Sequence, residues 1–186
     1  MNELPQVFVT VGTDHHPFDR VIAWVDEWLA GGASERARCL VQVGTSRPPQ
    51  HAEWSSYLTY DVMSEHLRSA VAVVCHGGPA TIMEARDAGH VPIVVPRRRE
   101  LGEHVDDHQV AFATRLGGLG ELALADSAAE LHALLDRALA DPASFRLPVH
   151  EHDATGAIRR FGELVEPLLA PRRGRSLTAR GLQPRR

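Results

Sequence analysis

The chain has 186 residues, 44% of them apolar and few aromatic, which fits one domain with a proper core and leaves no length for a second. All 20 basic residues are arginines, so chemistry that needs a lysine (a P-loop lysine, a pyridoxal Schiff base, an amine nucleophile) is excluded from this chain by itself. The net charge of −4 conceals six arginines and no acid in residues 170–186, so the remaining residues carry −10, which argues against a nucleic-acid groove.

In chain order, Val7–Val11 is a β-rich apolar run closed by Gly12, and Phe18–Leu29 follows with helical spacing of Phe18, Val21, Ile22, Val25, Trp28 and Leu29. Cys39–Val43 reads as a strand ending at Gly44, Tyr57–Tyr60 as a short strand, Met63–Ala70 as a helix and Val71–Cys75 as a strand. Thr81–Ala88 is expected to be a helix stopped near Gly89, Val91–Val95 a strand stopped by Pro96, and His104–Leu116 a helix stopped by Gly117 and Gly118. Glu121–Ala125 supplies a last strand, Ser127 with Glu130 a capping box for the helix through Leu139, and Asp153–Leu169 a final amphipathic helix. Apolar strands alternating with helices predict an α/β fold, a single Rossmann-like, doubly wound parallel sheet over residues 1–150. A C-terminal helix (151–170) and an arginine-rich disordered tail (171–186) follow.

Cys39 and Cys75 each lie in a buried-strand run, so reduced thiols and a cytoplasmic location are expected. No segment has the apolar length of a membrane span or the pattern of a signal peptide.

Ligands of doubly wound sheets sit at the carboxyl ends of strands, and the most informative such end is Val73-Val74-Cys75-His76-Gly77-Gly78-Pro79-Ala80-Thr81-Ile82-Met83-Glu84. Two glycines allow a tight turn, and the following helix begins with unpaired N–H groups that, with the helix dipole, attract phosphate. Pro79 suits the first helical position, Thr81 adds a hydroxyl, His76 is placed to donate to a phosphate, and Glu84 lies one turn after Thr81, able to accept ribose hydroxyls. The same spacing fits an ordinary strand-to-helix connection with a hydrogen-bonded His76 and a solvated Glu84, and the residues alone leave both readings open. The first turn, Gly12-Thr13-Asp14-His15-His16, belongs at the same sheet edge; it has no Gly-x-Gly-x-x-Gly, so a nicotinamide cofactor is excluded. His15 or His16 could act as a general base, or could simply line the turn. Gly44–Pro49 ends the second strand similarly. Arg97-Arg98-Arg99 suits either phosphate neutralisation or a solvated basic loop. A metal site from His104 and His108 with Asp107 is set aside for want of a third convincing ligand, so no metal is expected.

His-Gly-Gly-Pro-Ala-Thr-Ile-Met-Glu followed by Ala-Gly-x-x-Pro resembles the UDP-binding signature of GT-B glycosyltransferases. Val-Phe-Val-Thr-Val-Gly-Thr-Asp with Pro-Phe-Asp at 17–19 is similar to the family 28 C-terminal domain in its stand-alone form. That form includes the E-subunit type of bacterial exopolysaccharide transferases and the cytosolic-subunit type of the dolichol-linked N-acetylglucosaminyltransferases. The resemblance implies the C-terminal half of a GT-B enzyme, with His76, Gly77, Gly78, Pro79, Ala80 and Thr81 at the diphosphate and Glu84 on the ribose. It also places Asp107, His108 and Gln109 at the donor sugar, and Gly12 and Thr13 in the cleft. The stretch between Glu84 and Gln109 is longer than in plant-type members. The family implies an inverting, metal-independent hexosyltransferase with no cofactor and UDP-sugar as donor. It further implies a lipid-linked acceptor, a membrane-anchored acceptor-binding partner subunit and recruitment to the inner face of the plasma membrane. A non-catalytic nucleotide-sugar-binding or assembly subunit and a metal-dependent hydrolase are the alternatives.

Overall fold

The computed structural model describes residues 4–147; the expected helix at 153–169 and the arginine-rich end lie outside them. Six strands form one sheet: β1 (Gln6–Thr10), β2 (Arg38–Gln42), β3 (Glu53–Ser55), β4 (Ala72–His76), β5 (Ile93–Val95) and β6 (Ala123–Leu124), in the order β3-β2-β1-β4-β5-β6. Every pairing is parallel, with Val9 opposite both Val41 and Val74 at the centre. Five helices cover it: α1 (Asp19–Ala30), α2 (Tyr60–Ser69), α3 (Pro79–Asp87), α4 (His108–Gly118) and α5 (Ala128–Ala140).

Alternation along the strands sorts the core into two layers, because successive side chains point to opposite faces. Val7, Val9, Val41, Val74, Ile93 and Val95 meet α1 and α5 through Val21, Val25, Leu131 and Leu135. On the other face Phe8 and Val73 meet Leu67 of α2 and Ala85 of α3, while Cys75 and Val94 meet Ile82 of α3 and Ala113 of α4. Strands sealed on both faces read as continuous apolar runs, as β1, β4 and β5 do. Both cysteines are free and buried, and burial pushes each thiol up to about 12, so neither is poised as a nucleophile.

Two expected elements are corrected. The strand at Tyr57–Tyr60 is instead β3 at Glu53–Ser55, whose Trp54 pairs with Val41. As an edge strand it is largely exposed and polar, so apolar patterning misplaces it, and Tyr60 opens α2. The helix expected from His104 begins at His108. The preceding residues are drawn into turns: the Asp107 carboxylate accepts the Arg99 N–H at 2.9 Å and the Asp106 carboxylate accepts the His108 N–H at 3.1 Å. Short acidic side chains that bind nearby backbone in this way compete with helix formation. The capping box forms in shifted register: Ser127 Oγ accepts the Glu130 N–H at 3.3 Å, and the Glu130 carboxylate reaches the N–H of Asp126 at 2.7 Å.

Candidate functional site

The chain runs outward from β1 to β2 and β3 on one side and from β4 to β5 and β6 on the other, so the strand order reverses between β1 and β4. In open α/β sheets such a reversal is the usual ligand position, outside the carboxyl ends of the strands. Two segments border it, Gly12–His16 after β1 and His76–Thr81 after β4.

The second segment begins with a packed imidazole. A Cβ placed on Gly12 would lie 2.5 Å from His76 Cε1, and one on Gly78 would lie 2.3 Å from His76 Nε2, so the ring occupies the space that two side chains would need. Gly12 also has φ +78°, which favours glycine for a second reason. Burial, reinforced by the Arg97 charge, lowers the His76 pKa to about 4, so at neutral pH the ring is uncharged, and its buried Nδ1 has no partner among the described residues. Any contribution to an anion from His76 is therefore a hydrogen bond and not a charge.

α3 starts at Pro79 with Gly78 as its N-cap and no side chain capping it. The N–H groups of Ala80 and Thr81 precede the first intrahelical bond, which runs from Ile82 N to Gly78 O at 3.1 Å, and Pro79 and Ala80 are exposed. This leaves an open, uncapped helix start. Thr81 and Glu84 are half-buried, and among the described residues neither side chain is engaged by another group. Glu84 faces the groove between α2 and α3 with Tyr60, Ser64, Arg68 and Asp87, where burial and then the Asp87 charge raise its pKa.

In the first segment, Thr13 and His15 are exposed, and Asp14 organises the turn. Its Oδ1 accepts the His16 N–H at 2.7 Å and lies 2.7 Å from His16 Nδ1. Burial acts to raise the Asp14 carboxyl, but the two His16 contacts and the Arg97 charge outweigh it and hold the pKa at about 2. Because Asp14 is ionised, its carboxylate accepts the hydrogen of His16 Nδ1. Thr45 Oγ1 donates to the His15 carbonyl at 3.2 Å and Ser46 Oγ accepts the Phe18 N–H at 2.7 Å, so the loop after β2 buttresses this turn.

The residue the sequence hides is Arg97. Neither a phosphate ligand in waiting nor part of a solvated loop, it is 0% exposed. Its guanidinium donates to the carbonyls of His16 at 2.6 Å, Glu103 at 3.0 Å and Val11 at 2.8 Å, and it stacks over Phe18. Arg20 and Glu103 add a bidentate ion pair at 2.8 Å. Together they lock the loop after β1 to the loop after β5. Three consecutive arginines give no sign of which one turns inward; only its place immediately after Pro96 at the end of β5 is suggestive.

The third expected group divides. Gln109 is 4% exposed, its Oε1 accepts the Arg97 N–H at 3.4 Å, and a Cβ on Gly77 would lie 2.8 Å from its Cβ, so it buttresses the β4–α3 turn. Asp107 is held by Arg99 N, and His108 Nδ1 contacts Asp106. Sequence reading also missed Asp14 and Asp106 as organisers. The available signal was a repeated spacing, Asp-x-His, at Asp14-His16 and Asp106-His108, each closing an identical turn by a backbone bond from the histidine.

Comparison with known proteins places this arrangement. The model of the "Glycosyltransferase family 28 C-terminal domain" matches residues 6–156. Among solved structures, the glycotransferase of kitacinnamycin has TM-score 0.57 and 21% identity, covering 88% of this chain and 42% of that one. The calicheamicin glycosyltransferase CalG4 has TM-score 0.58 and 18% identity, with 91% and 45% covered. MurG of Acinetobacter baumannii has TM-score 0.54 and 16% identity, with 88% and 51% covered. At these identities the likeness establishes the fold, and the chain spans about half of each structure or less. No curated protein sequence matches it.

Proposed function

This chain belongs to the glycosyltransferase family 28 C-terminal domain family, and from that premise we propose that it is the donor-binding subunit of an inverting, metal-independent hexosyltransferase. It takes a UDP-sugar as donor and acts on a lipid-linked acceptor in polysaccharide biosynthesis. The observation that carries this reading is the uncapped start of α3 at the point where the strand order reverses, with Ala80 and Thr81 N–H groups free to hold a diphosphate.

In sugar transfer an acceptor hydroxyl attacks the anomeric carbon as UDP departs, and negative charge gathers on the diphosphate. Donors already aimed at that position lower the barrier without reorganising. The Ala80 and Thr81 amides and Thr81 Oγ1 fill this role, Glu84 receives the ribose hydroxyls, and Asp107 and Gln109 border the sugar. His16 is the better candidate base of the neighbouring pair: the Asp14 carboxylate fixes its Nδ1–H and leaves Nε2 to accept a proton, whereas the His15 side chain is 83% exposed. We assign the acceptor half to a membrane-anchored partner, as in the two-part transferases that this chain resembles. Among the described residues no helix is long and apolar enough to cross a membrane.

Calorimetry with UDP in the presence of EDTA tests the donor site. Saturable one-to-one binding that disappears in Glu84→Ala is the expected result, and failure of any uridine diphosphate compound to bind, with or without the partner, would overturn it. Transfer of labelled sugar by membranes co-expressing the partner separates a catalytic subunit from an assembly subunit.

A further inference from the structure

We propose that His104, Asp106 and His108 bind a divalent transition-metal ion, with Asp14 behind them orienting His104. The three ligand atoms lie within 4.8 Å of one another. His104 Nδ1 is 3.4 Å from Asp106 Oδ1, and a tetrahedral centre with bonds of about 2.0–2.1 Å sets neighbouring donors roughly 3.3–3.5 Å apart. His108 Nδ1 rests on the same Asp106 oxygen, and its ring stands edge-on to His104 with centroids 4.7 Å apart. A small rotation of the exposed His108 opens that pair around an ion.

Two features distinguish this cluster from a chance gathering of surface groups. The His104 side chain is 13% exposed, its Nδ1 meeting the Asp106 N–H at a long 3.4 Å that an ion would displace, while Asp106 at 56% leaves an approach from solvent. The other His104 nitrogen, Nε2, faces Asp14 Oδ2 at 3.5 Å, the carboxylate–histidine arrangement that fixes the ring of a metal-bound histidine. Asp14 is itself held by His16, and Arg97 grips the His16 and Glu103 carbonyls together, so the two loops that create the contact are fixed relative to each other. The sequence alone offers no convincing third ligand beside His104 and His108; the fold supplies Asp106 and turns the Asp107 carboxylate to Arg99 N–H.

Two imidazoles and one carboxylate suit Zn²⁺, Co²⁺ or Ni²⁺ and not Mg²⁺ or Ca²⁺, and three protein donors leave a fourth position open. The neighbouring triad Asp14, His15, His16 is the weaker competitor, because the His15 side chain is 83% exposed, against 13% for His104 and 50% for His108. The ion takes no part in the proposed transfer; it ties the 104–106 turn to the first residue of α4, next to Asp107 and Gln109.

Titrating the full chain with Co²⁺ and following the visible bands of tetrahedral Co²⁺, with displacement by Zn²⁺, tests the site independently of any sugar or nucleotide. One tight equivalent is expected, weakened at least about tenfold by His104→Ala and Asp106→Asn and about 10–100-fold by Asp14→Asn, with far-UV circular dichroism of the metal-free variants unchanged. His15→Ala and the double variant His150→Ala/His152→Ala are expected to bind as the parent does. Absence of a tight equivalent, its survival in both His104→Ala and the half-exposed Asp106→Asn, or its loss in His15→Ala or His150→Ala/His152→Ala would each overturn the assignment.

Discussion

Replacing Gly78 with alanine isolates a single contact, the packing of the His76 ring against the start of α3. Gly78 has φ −73° and ψ 127°, an ordinary conformation for alanine, so no backbone strain enters. The added Cβ would meet His76 Nε2 at 2.3 Å, and the ring is wedged from the other side by Gly12, where the corresponding distance is 2.5 Å to Cε1. The ring therefore has no free side to move toward, and overpacking of about 1–3 kcal/mol follows, with roughly 0.5–1 kcal/mol more for a poorer N-cap. Gly12→Ala carries the same clash plus about 1–2 kcal/mol for a left-handed alanine at φ +78°. Urea unfolding of both variants, alone and with His76→Ala, separates the causes in a double-mutant cycle. With the ring removed, Gly78→Ala retains only the capping loss, and Gly12→Ala retains only its backbone strain. A Gly78→Ala cost that is the same with and without the imidazole would refute the wedge and the account of why this motif carries glycine at both positions.

Arg97→Met removes the shared buried donor for three carbonyls and a positive charge that stabilises the Asp14 carboxylate; a loss of about 3–5 kcal/mol in urea unfolding is expected, and a change below about 1 kcal/mol would show that the loops are held otherwise. His76 and His90 both have pKa values lowered to about 4, chiefly by burial, so the unfolded chain takes up their protons first. Stability is complete above the unfolded value of 6.5 and falls as pH drops from 6.5 toward 4, by up to about 1.4 kcal/mol per pH unit for each histidine, with Asp14 contributing a further loss only between 3.8 and 2. Unfolding midpoints that stay level from pH 6.5 to 4.5 would contradict this. Glu84→Gln keeps the shape of the α2–α3 groove but removes the charge, and calorimetry is expected to report at least about tenfold weaker UDP binding with an unchanged melting temperature.

The sheet was legible because strands covered on both faces leave runs such as Val7–Val11 and Val71–Cys75 that need no partner to be recognised, and because a glycine pair followed by Pro79 marks a strand-to-helix turn on local grounds alone. β3 was not, since an edge strand with exposed side chains has no apolar signature, and the start of α4 was not, since Asp106 and Asp107 divert the backbone with their own carboxylates. Local chemistry thus determined the apolar strand runs and the open helix start after Gly78. Tertiary structure alone decided that Arg97 and not Arg98 or Arg99 turns inward, that His76 is a neutral wedge between two glycines, and that Asp14 meets His104 from a loop ninety residues away in sequence. Those outcomes depend on which groups share a desolvated space, and such sharing is fixed only when distant strands pair.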